Sequence, residues 1–181
     1  MLIRSERLTL RPWRRGDEDP LVSAANHRSV WQNLADFFPH PYTRADAETW
    51  ISRVEADRSG NLHLAILAED LPIGGIGVRR SFDIARFTGD LGYWLAPTVR
   101  GRGLATEAVR AVADQVLRET DLQRLEARAL EWNPASCRVL EKSGFTQDAR
   151  LRNAAFKEGL LIDLWLYSRV RESWPASSPR T

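Results

Sequence analysis

The chain has 181 residues, 43% hydrophobic and 28% charged, and 26 Lys+Arg against 24 Asp+Glu give a net charge of +2. Those values suit one globular domain, and a mean hydropathy of −0.39, with no apolar run near the roughly 18 residues of a membrane span, argues against a spanning helix. The single cysteine, Cys137, excludes an intrachain disulfide and a multi-cysteine zinc site, and arginines dispersed among carboxylates do not form the one-sided run of a nucleic-acid binder.

Residues 1–6 lack the apolar h-region of a secretory signal, so a cytoplasmic location is expected. Leu8-Thr9-Leu10-Arg11 alternates and reads as a first strand. Residues 17–25 open a short helix after Gly16, and 31–38 form a short apolar piece stopped by Pro39 and Pro41. Thr43 suits the N-cap of a helix through about residue 56, with Asp46 three positions on. Residues 62–67, 73–78 and 88–95 read as strands, the first two split by the turn Glu69-Asp70-Leu71-Pro72. Short links argue for antiparallel pairing. In the second half, Ala108, Val109, Val112, Val116 and Leu117 share one stripe of a helix over 105–118. A strand over 125–130 follows, then a helix over 133–142 ending at Gly144, a left-handed C-cap position. Strands over 145–151 and 160–167 complete a mixed α/β domain with a largely antiparallel N-terminal half. Residues 171–181, rich in Pro and Ser, read as a tail, leaving one domain over 1–170.

The informative segment is the strand–loop–helix junction Tyr93-Trp94-Leu95-Ala96-Pro97 to Arg100-Gly101-Arg102-Gly103-Leu104-Ala105. The first N–H groups of a helix lack internal partners and carry the positive end of its dipole. Two glycines let the backbone approach a ligand closely. Together these are the physics of an anion site, most often phosphate, to which Arg100 and Arg102 can add charge-assisted contacts. The lysine and Ser/Thr of a P-loop are missing, and Thr106 stands where GxGxxG needs glycine. A structural turn with solvated arginines has the same local pattern.

Arg100-Gly101-Arg102-Gly103-Leu104-Ala105 resembles the Q/R-x-x-G-x-G/A signature of the GNAT superfamily of acetyl-CoA-dependent N-acetyltransferases. The opening Ser5-Glu6-Arg7-Leu8-Thr9-Leu10-Arg11-Pro12-Trp13 is similar to the RimJ/RimL-type branch, which acetylates N-terminal amines of ribosomal proteins. So are Trp132-Asn133-Pro134-Ala135-Ser136 and Leu140-Glu141-Lys142-Ser143-Gly144-Phe145. The resemblance spans about residues 2–170. It implies a single GNAT-like domain, a mixed sheet splayed between the strands at 88–95 and 125–130 and flanked by helices. It implies acetyl-CoA as cosubstrate, its arm on the free strand edge at Leu95 and beside Asn133 and Ser136, and its pyrophosphate on the N–H groups of Arg100, Gly101, Arg102, Gly103, Leu104 and Ala105. A homodimer is expected because similar proteins commonly pair.

The implied reaction is direct attack of a neutral amine on the thioester, so a base must take the amine's proton and the departing thiolate must be stabilised. Ser136 matches the serine placed near the thiolate in RimL-type enzymes, and equally suits an ordinary first-turn hydroxyl. Asp90 and Asp163 are the acidic candidates for catalysis, against structural readings as a solvated strand-end carboxylate and an arginine partner. Glu107 fits the helix dipole, and His63 a satisfied strand histidine. No His/Cys cluster indicates a metal. Cys137 reads as a small helix residue. The acceptor pocket is expected from residues 26–42 and the turn near 153–159, with Trp31, Phe37, Phe38 and Tyr42 as candidate lining. The leading expectation is transfer to a protein or peptide α-amine. Alternatives are a small amine (aminoglycoside, polyamine or amino acid) and a CoA-binding domain without turnover, with DNA binding well behind.

Overall fold

The computed structural model describes residues 1–172; most of the expected tail at 171–181 lies outside them. Eight strands form one sheet in the order β1-β2-β3-β4-β5-β6-β8-β7. In chain order the elements are β1 (Ile3–Arg4), β2 (Thr9–Pro12), α1 (Glu18–Ala25), α2 (Arg28–Trp31), α3 (Arg44–Ala56), β3 (Leu62–Ala68), β4 (Leu71–Arg80) and β5 (Thr88–Leu95). They continue as α4 (Leu104–Glu119), β6 (Arg124–Leu130), α5 (Pro134–Lys142), β7 (Thr146–Lys157) and β8 (Leu160–Val170). The expected mixed α/β sheet is present. The two-residue strand β1 and the one-turn helix α2 are additions, each too short to show a period in sequence.

Local chemistry explains the element ends. The Thr43 side chain accepts from the Asp46 N–H while Asp46 accepts from the Thr43 N–H, the capping box expected for α3. The β3–β4 turn is only Glu69-Asp70, both at positive φ, as a two-residue I′ hairpin requires. Leu71 and Pro72, expected in the turn, therefore begin β4. Glu158-Gly159 turns β7 into β8 in the same way.

Strand alternation builds two cores. On β3, Leu64 and Ile66 face the cluster with Val109, Val112 and Val116 of α4, while Ala65 and Leu67 face the cluster with Leu21 of α1 and Ile51 of α3. On β5, Leu91, Tyr93 and Leu95 point to the α4 side and Trp94 to the α3 side. Strand β4 is glycine-rich because its partners come close. A Cβ on Gly74 would sit 2.3 Å from the Trp94 carbonyl oxygen, and one on Gly75 2.9 Å from Trp94 Nε1.

Strands β5 and β6 pair in parallel only over residues 88–90. Beyond Asp90 they part. The backbone groups of Trp94 and Ala96 turn toward β4, as the Ala96 N–H to Ile73 carbonyl bond (2.9 Å) shows. Those of Tyr93 and Leu95 therefore face the opening.

Gly74→Ala is expected to cost about 1–3 kcal/mol through this backbone clash, whereas Gly92→Ala, whose Cβ meets nothing within 4 Å, stays within about 0.5 kcal/mol of wild type; urea unfolding of both variants checks the pair.

Candidate active site

The parting of β5 and β6 leaves a cavity of about 500 Å³. Tyr93, Trp94 and Leu95 line one wall, Ala127 to Leu130 of β6 the other, and Asn133, Ser136, Arg138 and Lys142 come from the α5 end. The loop before α4 closes one end through Arg100, Gly101 and Gly103, followed by Leu104, Ala105 and Thr106. Gly103 is the N-cap of α4, left-handed at φ +78° and without a side-chain cap. The N–H groups of the first turn are thus free of side-chain competition.

Several expected residues meet here. Arg100 is turned inward: its Nε donates to the Leu95 carbonyl (3.1 Å) and its Nη2 to the Ser29 carbonyl (3.3 Å). It braces the loop against the end of β5 and against α2, and burial lowers its pKa. Arg102 is exposed and does not line the cavity. Its carbonyl accepts from Arg7 Nη1 (2.9 Å). Asn133 caps α5 by accepting from the Ser136 N–H (3.2 Å). Ser136 Oγ lies 2.8 Å from Tyr93 Oη, a contact the sequence reading missed. Strand alternation, which puts Tyr93 on the face of Leu91 and Leu95, was the available signal. Burial pushes the Tyr93 phenol up to about 12, against the Ser136 hydrogen bond that lowers it.

The two acidic candidates sit elsewhere. Asp90 accepts from Arg79 Nη2 (2.8 Å) and Arg128 Nη1 (3.0 Å) and is not part of the lining. Asp163 accepts from the Asn153 N–H (2.8 Å) and Arg150 Nε (2.5 Å), holding the β7 bulge where Asn153 has φ +51°. The Asn153 N–H, then Arg150, outweigh burial and keep its carboxyl below the usual range. Asp90 and Asp163 each have both carboxylate oxygens engaged by cationic or backbone donors.

The acceptor-side aromatics also differ from expectation. None of Trp31, Phe37, Phe38 and Tyr42 lines the cavity; Val30, Asn33 and Leu34 do, as does Trp94. Tyr42 is buried, Phe38 stacks on it and meets Trp94 edge-on, and Phe37 is 76% exposed. Trp31 stacks on His40 and lies 4.0 Å under Lys157 Nζ. The expected meeting of segments 26–42 and 153–159 does occur. Lys157, 3% exposed, donates to the Leu34 carbonyl (3.0 Å) and to Asp36 (2.7 Å), and Arg28 pairs with Glu158 (2.6 Å). His63 pairs with Asp57 (2.9 Å), away from the cavity lining.

Glu107 does more than face a dipole. It accepts from Ser5 Oγ (2.7 Å), the Arg7 N–H (2.8 Å) and Arg7 Nε (2.8 Å). Arg7 in turn holds the glycine loop at the Arg102 carbonyl. Among the described residues no group of His, Cys, Asp and Glu could hold a metal ion, and no helix is long and apolar enough to cross a membrane.

Residues 7–146 match the acetyltransferase (GNAT) domain family. The chain belongs to that family. It is therefore an acyltransferase, of a family that takes acetyl-CoA as acetyl donor. The probable N-acetyltransferase YjcK of Bacillus subtilis (strain 168) is 27% identical over 168 residues, covering 90% of this chain and 93% of that protein. The ribosomal-protein-serine acetyltransferase of Escherichia coli (strain K12) is 30% identical over 108 residues, 60% of each chain. The fold superposes on RimL, a ribosomal L7/L12 α-N-protein acetyltransferase in complex with coenzyme A, with TM-score 0.82 at 19% identity over 94% of this chain and 98% of that one. The β5 backbone facing the gap and the α4 start without a side-chain cap offer hydrogen-bonding groups and a positive helix end of the kind that an acetyl-CoA arm and its phosphates take.

Glu107→Gln tests the clamp. Burial pushes the Glu107 carboxyl up, but the Arg7 N–H, Ser5 and Arg7 side-chain contacts together hold it below its ordinary value. Its contribution is thus present above the unfolded carboxylate pKa of about 4.3 and is lost as pH falls below it. Glu107→Gln should be less stable than wild type at neutral pH and lose less on acidification, read by urea midpoints across that range.

Proposed function

We propose that the protein transfers an acetyl group from acetyl-CoA to an α-amine, the N-terminus of a protein or peptide. One observation carries the choice of acceptor: among the described residues, the cavity lining contains arginines, a lysine and amides but no aspartate, glutamate or histidine. An amine must lose its proton before it attacks. An α-amine, with pKa near 8, is neutral at pH 7 roughly two to three orders of magnitude more often than a lysine-like amine near 10.4. A cavity without a side-chain base suits the acceptor that needs one least. A polycation would also find no counter-charge there. The E. coli relative, named for a ribosomal-protein serine, supports the same class.

The chain's own groups then divide the work. The backbone of Tyr93 and the N–H of Leu95 take the pantetheine arm as an added strand would, and the N–H groups of residues 101–105 take the pyrophosphate, that of Arg100 being donated to the Pro97 carbonyl. The acceptor enters between Trp94 and the segment Val30, Asn33, Leu34. Its nitrogen attacks the thioester carbonyl carbon, the C–S bond breaks, and the amine proton leaves through water. The Ser136 hydroxyl stabilises the sulfur as it gains charge. Asp90 and Asp163 serve structure in this reading, joining β4 to β6 and holding the β7 bulge.

Acetyl-CoA at ~100 times its Kd should add about 2.7 kcal/mol to thermal stability, with NADH and ATP giving no comparable shift. Gly103→Val, strained at φ +78°, should remain folded and lose that shift. Absence of any shift in wild type overturns the reading. In a thiol-release assay, peptides with free N-termini should be acetylated over spermidine and aminoglycosides, with kcat/KM rising to a plateau near the acceptor pKa of about 8. Preference for the polyamine would reassign the acceptor.

A further inference from the structure

Among the described residues, Tyr93 is the hydrogen-bond partner of the Ser136 hydroxyl, and the pair spans the opening between β5 and α5. Both residues line the cavity. The Tyr93 ring packs against the buried cluster under α4, and its hydroxyl emerges at the cavity wall.

We infer that Tyr93 is a positioning residue that donates to Ser136 Oγ and thereby directs the serine's own hydrogen at the sulfur of bound CoA. Hydrogen counting permits that direction. Each hydroxyl has one hydrogen and two lone pairs. Tyr93 Oη lies 2.8 Å from Ser136 Oγ, where either hydroxyl can donate, and 3.3 Å from the Ser136 carbonyl, which can only accept; the phenol's one hydrogen goes to the nearer oxygen in the arrangement inferred. With a raised phenol, Tyr93 stays a donor throughout the neutral range. Once Ser136 Oγ accepts from the phenol, its hydrogen is released toward the cavity. Hydrogen bonds in series polarise one another, so the phenol strengthens what the serine offers the sulfur. The electron pair of the broken C–S bond stays on sulfur, which takes a proton from solvent to leave as thiol; neither hydroxyl ionises.

This inference rests on acetyl-CoA binding in the cleft, and its test does not need the acceptor. The thiol of CoA bound to the full chain is titrated through thiolate ultraviolet absorbance, with the desulfo-CoA complex subtracted so that the protein's tyrosines cancel. Wild type should lower the bound thiol's pKa below that of free CoA. Tyr93→Phe should leave roughly tenfold less thiolate at a given pH, one pKa unit. Ser136→Ala should do the same or more, and the double variant should go no further than Ser136→Ala. With a peptide acceptor, Tyr93→Phe should lower kcat about tenfold while the acetyl-CoA KM stays within about twofold. An unchanged bound-thiol pKa in Tyr93→Phe, or additive effects of the two substitutions, overturns the inference. If neither CoA nor desulfo-CoA stabilises wild type, the function reading itself fails and this one with it.

Discussion

The parting of β5 and β6 after residues 88–90 is the constraint from which the site follows. Strands that stayed paired would satisfy each other's backbone and leave nothing for a ligand. Because they diverge, the backbone of Tyr93 and Leu95 faces the gap, with the Leu95 carbonyl taken by Arg100, α4 starts at the mouth of the gap, and α5 brings Ser136 across it. Asp90 marks the fork, joined to Arg79 on β4 and Arg128 on β6. Its carboxylate links the two strands by ion pairs where backbone pairing ends.

Two clamps fix the borders of the gap. At the cofactor end, Ser5 and Arg7 converge on Glu107, and Arg7 reaches on to the Arg102 carbonyl. The glycine loop is thereby held by a segment about a hundred residues away. Where Leu34 lines the gap, the buried Lys157 ties the β7–β8 hairpin to Leu34, Asp36 and the face of Trp31. A buried ammonium is costly unless its donors are used; a carbonyl, a carboxylate and a ring face use them here. Asp163 supports the same hairpin by holding the bulge at Asn153.

Among the described residues the cavity lining carries cationic side chains but neither carboxylate nor imidazole. In the proposed reaction, that lining places the demand for a neutral nucleophile on the acceptor itself. In that reading the walls contribute position and polarity: backbone N–H groups, the Ser136 hydroxyl and the phenol behind it.

Local patterns in the sequence determined the α/β order, the Thr43 cap, the Gly144 stop and the glycine loop before α4, because each depends on residues within a few positions. The family resemblance carried by Arg100-Gly101-Arg102-Gly103 and Asn133-Pro134-Ala135-Ser136 extended this to the splayed sheet and the cosubstrate. Tertiary structure alone decided which side chains reach the gap. It withdrew Phe37, Phe38, Trp31 and Tyr42 from the lining, engaged Asp90 and Asp163 in ion pairs, and brought Tyr93 to Ser136 and Arg7 to Glu107. Those partners lie roughly 10 to 100 positions apart, a separation that periodicity and capping rules cannot span, because the pairing is set by sheet register and helix packing rather than by neighbours along the chain.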